Sequence, residues 1–450
     1  MKSVFHKSAR FCRRRLTESV FLCHVFFGVQ TAAAEVPYLA FGDIRGNLEP
    51  CGCDPKTDFG GIRRLVAQIN RERALAKNFY VFNLGNNLPE LELKVLSEQE
   101  KNKIPYILES ISALAPDASL FNYSENLHLK DRSHYLSTNR NGFREEIVLK
   151  DAVIFGFTSP TKEFKAEKAQ SVLLRTKITG LFAKHKNLKK ILLFSGTNED
   201  LLFLRVTYQF DEIISSNIAA VGRPSNKNES ENESLLTRKI LGEDIWMTPL
   251  GGQGILRGGI LRKQVAPTIA QIFAKDAKPT TKETAVTWLT KDLDDESVLK
   301  DVFTRYRGQS KNSFLKHASD RKLFLKDSQY IGSEACKSCH AESFETWKST
   351  AHAHAYRTLQ EKNQHDNLEC VSCHVVGFKE KGGFADIKSS PALANVQCEN
   401  CHGPRREHAG NPSINPAGDP RDMCVTCHKP PHSSEFSFER YWPKIRHTKH

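Results

Sequence analysis

The chain has 450 residues and a formal net charge of +13, and its length is sufficient for two or three domains. Much of the charge is local, because the first 34 residues carry six basic residues and one acidic residue, which leaves +8 for the remainder. No basic stripe with interleaved aromatic residues stands out, which argues against nucleic-acid binding. Of the 12 cysteines, eight lie in one repeated pattern near the C-terminus, and that pattern indicates the class of protein.

Residues 1–34 have the pattern of an export signal. The basic segment "KSARFCRRR" precedes the apolar run "VFLCHVFFGV", and Ala32, Ala33 and Ala34 offer a small-residue cleavage site. The alternative is an uncleaved membrane anchor, but the apolar run is too short to span a bilayer. We therefore expect cleavage near Ala34, a periplasmic location and no stable membrane insertion.

Residues 35–275 alternate apolar strand patterns with amphipathic helix patterns. The predicted strands are "VPYLAF", "FYVFNL", "AVIFGF", "KKILLFSG" and "DEIISS". Ile62, Leu65, Val66 and Ile69 recur at helical spacing and predict one apolar helix face. This alternation is typical of a layered α/β domain.

Residues 276–329 are predicted to be a helical linker between this domain and a C-terminal domain over residues 330–450. The segment "TAVTWLTKDLDDESVLKDVFTRY" is the predicted bridging helix. Beyond it we expect only short helices, joined by loops rich in glycine and proline such as "GNPSINPAGDPRD".

Four Cys-x-x-Cys-His motifs lie in the last 121 residues: "CKSCH", "CVSCH", "CENCH" and "CVTCH". Two thiols at this spacing attach one porphyrin, and the histidine that follows is placed to ligate its iron. The alternative is structural zinc, which gives no reason for a histidine after every second cysteine. The motifs predict four covalently attached haem c groups, bound by Cys336, Cys339, His340, Cys370, Cys373, His374, Cys398, Cys401, His402, Cys424, Cys427 and His428.

Further histidines in the C-terminal domain are candidates for the second axial ligand of each iron. Methionine is the usual competitor and raises the potential, but this domain has only Met423. Low-potential bis-histidine ligation is therefore expected. The candidate histidines are His352, His354, His365, His408, His432, His447 and His450.

From Tyr330 to about His447, the order and spacing of the four motifs resemble the tetrahaem cytochrome c-554 family. Carried over by position, the family's distal ligands match His352, His408 and His447 best. His354 and His432 match less well, and His365 and His450 are interpreted as surface residues. The resemblance also implies one haem with an open sixth position, which fits the "CVSCH" motif with His374 as its protein ligand.

The N-terminal half resembles the calcineurin-like phosphoesterase and 5′-nucleotidase N-terminal domain, strongly in "FGDIRGNLEPCGC" and moderately over the strands. The resemblance implies a four-layer α/β sandwich with two metal ions at the strand ends. Asp43 matches the metal-ligand pattern, but Arg45 stands where a histidine is expected and Asn86 where a bridging aspartate is expected. Gly196 replaces another expected histidine, and "SSNIAA" lacks the last histidine pair. We therefore expect the fold without the dimetal chemistry.

Two of the other cysteines, Cys12 and Cys23, lie in the export signal, which leaves Cys51 and Cys53. Two thiols in an oxidising compartment usually pair, and Gly52 between them supplies backbone freedom for a tight ring. Either a structural disulfide or a reducible one that exchanges electrons with a haem fits the sequence.

The sequence as a whole predicts a periplasmic tetrahaem electron carrier with redox proteins as donor and acceptor, joined to a phosphoesterase-like domain without catalysis. One alternative is an enzyme that reduces a small nitrogen oxide at one open haem. Another is a metal-dependent phosphoesterase with accessory haems.

Overall fold

The structure is a computed structural model. It describes residues 36–50, 58–75, 78–89, 96–122, 125, 128, 132–161, 164–216, 237–240, 243–249, 252–258, 285–414, 420–428, 433 and 436–447. The predicted export signal, Cys51, Cys53, His432 and His450 lie outside the described residues.

The N-terminal domain contains two main β-sheets. The six-stranded sheet has the order β12-β11-β1-β2-β3-β4, in which β1 to β4 pair in parallel and β11 pairs antiparallel with both of its neighbours, β1 and β12. Its strands are β1 (Tyr38–Phe41), β2 (Tyr80–Asn83), β3 (Ala118–Leu120), β4 (Tyr135–Leu136), β11 (Gly254–Gly258) and β12 (Ala285–Trp288).

The four-stranded sheet has the order β5-β6-β7-β8, with β5 antiparallel and the others parallel. Its strands are β5 (Ile147–Val148), β6 (Ala152–Thr158), β7 (Lys189–Ser195) and β8 (Glu212–Ser215), and β9 (Thr237–Ile240) and β10 (Glu243–Trp246) form a separate hairpin. All five strands that the sequence predicts are present.

The side chains of the strands alternate between two apolar layers, as a pleated strand requires. On β1, Tyr38 and Ala40 face the other sheet, whereas Leu39 and Phe41 face the helices α1 (Ile62–Leu75) and α2 (Glu98–Leu114). On the far side, α3 (Val172–Lys184) and α4 (Asn198–Thr207) cover the four-stranded sheet. This α-β-β-α order confirms the predicted four-layer sandwich.

The predicted helical linker is partly wrong. Residues Ala285–Trp288 form β12, the edge strand of the six-stranded sheet, because Ala-Val-Thr-Trp alternates and buries Val286 against the sheet. A 3₁₀ turn follows at Lys291–Leu293, and only then does helix α5 (Lys300–Lys322) begin. The sheet therefore extends beyond residue 275.

Helix α5 belongs to two apolar cores. Phe303 and Tyr306 pack with α1 and α2, whereas Phe314 and Ala318 pack in the C-terminal domain. The C-terminal helices are α6 (Ala341–Lys348), α7 (Ala355–Glu361), α8 (Leu368–His374), α9 (Cys398–His402), α10 (Arg406–Gly410), α11 (Pro420–Cys427) and α12 (Phe438–Tyr441). Short 3₁₀ turns occur at Ser333–Cys336, Ala351–His354, Pro391–Leu393 and Trp442–Lys444. The C-terminal domain thus consists of short helices and loops, as predicted.

Candidate functional site

The four Cys-x-x-Cys-His motifs lie on short helical segments. The first begins in the 3₁₀ turn Ser333–Cys336, the second and third end α8 and occupy α9, and the fourth lies in α11 with His428 directly after it. Each helical turn places the two thiols and the imidazole of one motif on neighbouring positions. None of the eight motif cysteines is in a disulfide, so their thiols are in the reduced state that forms thioether bonds to a porphyrin.

Three motif histidines face a second histidine. The ring centroids are 6.1 Å apart for His340 and His408, and 6.1 Å for His428 and His352. The third pair joins the motif histidine His402 to His447, with centroids 5.8 Å apart.

These separations fit one metal ion between each pair of rings. Two imidazole nitrogens, each about 2 Å from an iron on opposite sides, place the ring centroids about 6 Å apart. Within the part of the chain that the structure describes, no cluster of three or more His, Cys, Asp or Glu side chains has metal-ligand geometry. The donors are arranged as opposed imidazoles, the arrangement that a haem with two axial ligands requires.

The fourth motif histidine, His374, is held from its other ring nitrogen. Its Nδ1 lies 2.6 Å from the carbonyl oxygen of Ala355 in α7, so a proton on Nδ1 leaves Nε2 as the ligating atom. Burial lowers the pKa of His374 and favours the neutral imidazole that binds a metal. No ring contact with a second histidine occurs here among the described residues.

Burial also lowers the pKa values of three histidines of the opposed pairs. Desolvation is the largest cause for His352, His402 and His428, and neighbouring histidines add to it for His352 and His402. Neutral imidazole is therefore the favoured form at these positions, which suits metal ligation.

The motifs are adjacent in two pairs. The thiol of Cys336 lies beside that of Cys398, and this proximity together with burial raises the pKa of Cys336. The thiol of Cys427 likewise lies beside that of Cys373. The first motif thus lies beside the third, and the second lies beside the fourth. Prosthetic groups bound there would be close neighbours.

A cavity of about 3160 Å³ runs along the motifs. Its lining includes His352, Cys373, His374, Cys427 and His428, together with residues of the N-terminal domain such as Lys103. The cavity, the opposed imidazoles and the reduced thiols together fit covalently attached haem.

His354 and His365, the other candidate histidines that the structure describes, do not form such pairs. His354 ends the 3₁₀ turn Ala351–His354 with its side chain exposed. His365 is half-buried rather than on the surface, and its Nδ1 is buried without a hydrogen-bond partner.

The second candidate site is the position where a dimetal centre would lie, at the ends of the parallel strands. Asn86 Nδ2 donates to Asp43 Oδ1 at 3.2 Å, to Ser195 Oγ at 3.3 Å and to Ser216 Oγ at 3.4 Å. Thr248 Oγ1 donates to the other oxygen of Asp43. A hydrogen-bonded network of one carboxylate, one amide and three hydroxyls therefore occupies this position.

Arg45 and Gly196 do not fit metal binding. The guanidinium of Arg45 lies 4.0 Å from Asp43 Oδ1, so its positive charge would repel a metal ion at that carboxylate. A Cβ atom on Gly196 would lie 1.9 Å from the hydroxyl of Ser159. The structure therefore leaves no space for a histidine at residue 196.

The backbone of this site retains strained conformations. Asp43, Arg45 and Asn86 have φ angles of 52°, 51° and 54°, in the left-handed region that non-glycine residues rarely adopt. The two loops are joined by hydrogen bonds from the Asp43 amide to Gly85 O and from the Arg45 amide to Asn86 O. Such strain typically marks functional sites, and here it persists around residues that do not form a dimetal ligand set.

Sequence reasoning missed Ser195, Ser216 and Thr248 as members of this site. Ser195 ends β7 and Ser216 follows β8, so polar residues at the carboxyl ends of buried parallel strands were the available signal. Thr248 is 205 residues from Asp43 in the chain, and nothing local indicates their contact.

The C-terminal segment matches a known family. The family model described as cytochrome c554 and c-prime matches residues 335–403, which contain the first three motifs. Residues 335–403 are therefore similar to this family. The match implies covalently bound haem c, and the predicted resemblance of this region is confirmed. Cytochrome c-554 of Nitrosomonas europaea is 36% identical over 100 residues, and the match covers 19% of this chain and 43% of that relative.

Solved structures similar to this chain include a calcineurin-like phosphoesterase of Bacillus subtilis, with 13% identity and a TM-score of 0.41. The match covers 61% of this chain and 98% of that one. A 5′-nucleotidase precursor of Thermus thermophilus has 15% identity and a TM-score of 0.42, and the match covers 61% and 59% of the two chains. Within the described residues, no helix has both the length and the apolar character needed to cross a bilayer.

Proposed function

We propose that this protein is a periplasmic tetrahaem c-type cytochrome that passes electrons between a donor and an acceptor redox protein. The observation that carries the proposal is the set of three opposed imidazole pairs, each containing one motif histidine. Haem iron, when bound, supplies one-electron transfer between its ferric and ferrous states.

In this proposal each motif holds one haem through its two thiols and its histidine. His408, His352 and His447 provide the second axial ligands opposite His340, His428 and His402. The spacing of the paired rings supports this assignment over His354, whose side chain is exposed. Imidazole on both faces stabilises the ferric form and keeps the potentials low.

The adjacency of the motifs supports electron transfer within the domain. Contacts between Cys336 and Cys398 and between Cys373 and Cys427 place the sites in two close pairs. The cavity along the motifs also borders the N-terminal domain, which we propose is a platform that positions the haem domain. The network around Asp43 supports a platform without dimetal chemistry.

The proposal is tested by producing the full chain in a periplasm with cytochrome c maturation. The expected product is red, loses residues 1–34 and has an intact mass that includes four haems. Variants with Cys→Ala at both thiols of one motif are expected to lose one haem each. A colourless product, or one with zinc at the motifs, would contradict the proposal.

A further inference from the structure

Helix α8, which ends in the second motif, is held by the N-terminal domain. Its N-cap residue Asn367 accepts a hydrogen bond from the amide of Glu369 at 3.1 Å and another from Gln99 Nε2 of α2. One turn further along α2, Lys103 Nζ forms an ion pair with Glu369. Glu369 directly precedes Cys370, so α2 contacts the motif helix beside its first thiol.

Three of the four residues in these contacts are shielded from water. Gln99 and Lys103 are 6% and 8% exposed, and Asn367 is 7% exposed. Tyr306 of α5, which is 2% exposed, lies beside Gln99 and Lys103, so α5 borders the contact. A lysine with this degree of burial is costly unless it is paired, so the ion pair with Glu369 is required by the interface. The side chain of Glu369 is 31% exposed, so water screens the carboxylate end of the ion pair in part, whereas the lysine end is buried.

A second connection reaches α8 from the loop after β1. Glu49 Oε2 accepts from Gln364 Nε2 at 2.7 Å, and Gln364 Oε1 accepts from Asn367 Nδ2 at 2.8 Å. Glu49 also pairs with Arg307 of α5 at 3.5 Å. The N-terminal domain thus fixes the first turn of α8 from three elements.

We propose that Lys103 is a positioning residue for the haem at Cys370 and Cys373, and that its ion pair with Glu369 shifts the reduction potential of that haem more than those of the other three. The inference rests on the proposed tetrahaem function. Uptake of one electron makes a haem more negative by one charge, so a nearby cation favours the reduced form and a nearby carboxylate opposes it. The N-terminal domain would then act on one of four haems through a charge at the domain junction.

The test is a spectroelectrochemical titration of the haem-loaded full chain, with the haem at Cys370 assigned through the NMR resonances of His374. Lys103→Gln is expected to lower the midpoint of this haem, and Glu369→Gln is expected to raise it, with smaller shifts in the other three. Lys101→Gln is the matched control, because Lys101 is exposed on the same helix, and it should leave all four midpoints unchanged.

The charge-swapped pair Lys103→Glu/Glu369→Lys covers the case in which a single variant fails to fold. It keeps an ion pair and moves the positive charge onto α8, so the midpoint of the same haem is expected to rise. If the ion pair had only a structural role, the swapped pair would keep the wild-type midpoint, and the two single variants would shift the midpoint in the same direction. Either result would overturn the inference. A mature protein without haem at Cys370 would instead overturn the proposed function and the inference with it.

Discussion

The side-chain amide of Asn86 donates to the carboxylate of Asp43 across the ends of the neighbouring parallel strands β1 and β2. An aspartate at residue 86 would place a second carboxylate there and would need a cation between the two. The asparagine makes a direct hydrogen bond instead, and Thr248 donates to the other oxygen of Asp43. The strand ends are therefore held together by the chain itself.

Loss of this carboxylate is expected to destabilise the N-terminal domain. Asp43 is fully buried and accepts from Asn86 and Thr248, so Asp43→Ala leaves buried donors unsatisfied and should lower the free energy of unfolding by about 1–3 kcal/mol. Urea unfolding followed by tryptophan fluorescence measures the change. The control is Asp320→Ala, an exposed position on α5. An equal effect of the two substitutions would show that the network contributes nothing.

Phosphoesterase activity is not expected. With the purified protein, Mn²⁺ or Zn²⁺ should produce no hydrolysis of p-nitrophenyl phosphate or nucleotides, because Arg45 places a positive charge 4.0 Å from the carboxylate that a metal would need. The double variant Arg45→His/Asn86→Asp tests whether ligands alone restore metal binding, measured by calorimetry. Metal-dependent hydrolysis by the wild-type chain that Asp43→Ala abolishes would contradict this prediction.

The space beside Gly196 is expected to exclude any side chain. A Cβ there would lie 1.9 Å from Ser159 Oγ and 2.9 Å from the ring of Phe194, so Gly196→Ala should lower the free energy of unfolding by about 1–3 kcal/mol. Gly180→Ala is the matched control, since a Cβ at Gly180 meets no atom within 4 Å. Thermal unfolding of the two variants gives the comparison, and equal midpoints would refute the steric argument.

Removal of one distal imidazole is expected to change the spin state of one haem iron. His408→Ala removes the ring that faces His340 at 6.1 Å, so one iron should lose its sixth ligand and show a high-spin ferric signal in electron paramagnetic resonance. His354→Ala should leave the spectrum unchanged, because its side chain is exposed. A low-spin spectrum retained by His408→Ala, or lost by His354→Ala, would show that the ligand assignment is wrong.

The ion pair between α5 and the C-terminal domain is expected to lose its contribution to stability in acid. Lys322 Nζ lies 2.7 Å from Asp386 Oδ2. Burial raises the pKa of Asp386, but the ion pair with Lys322 and hydrogen bonds from Ser389 outweigh it and hold the pKa below its usual value. A carboxylate with a lowered folded pKa contributes stability above its usual pKa of about 3.9, and this contribution is lost as the pH falls through the folded value.

Urea unfolding of the wild type and of Asp386→Asn at successive pH values from 6 to 3 measures this contribution. The difference in unfolding free energy should be constant near neutral pH and should shrink towards zero in acid. Asp320→Asn is the control, at an exposed position of α5. A difference that does not depend on pH would mean that the charge of Asp386 contributes no stability.

The amino-acid sequence by itself determined the haem-attachment motifs and the positions of five strands along the chain. Thiol spacing is a local property, so each Cys-x-x-Cys-His motif specifies its own chemistry wherever the chain places it. The apolar alternation around Tyr38 and the helical spacing from Ile62 to Ile69 likewise predicted their elements correctly. The strand Ala285–Trp288 was missed, because four residues beside a long helical pattern give little periodic signal and the pairing with β11 determines their conformation.

Only the tertiary structure decided which residues meet. His402 and His447 face each other from separate segments, and Thr248 reaches Asp43 across 205 residues. The contact of Lys103 with Glu369 also joins two domains that the sequence treats as independent. Such pairings follow from the packing of whole layers and helices. The periodicity and motif spacing of one sequence do not predict the distance between two residues that are remote in the chain.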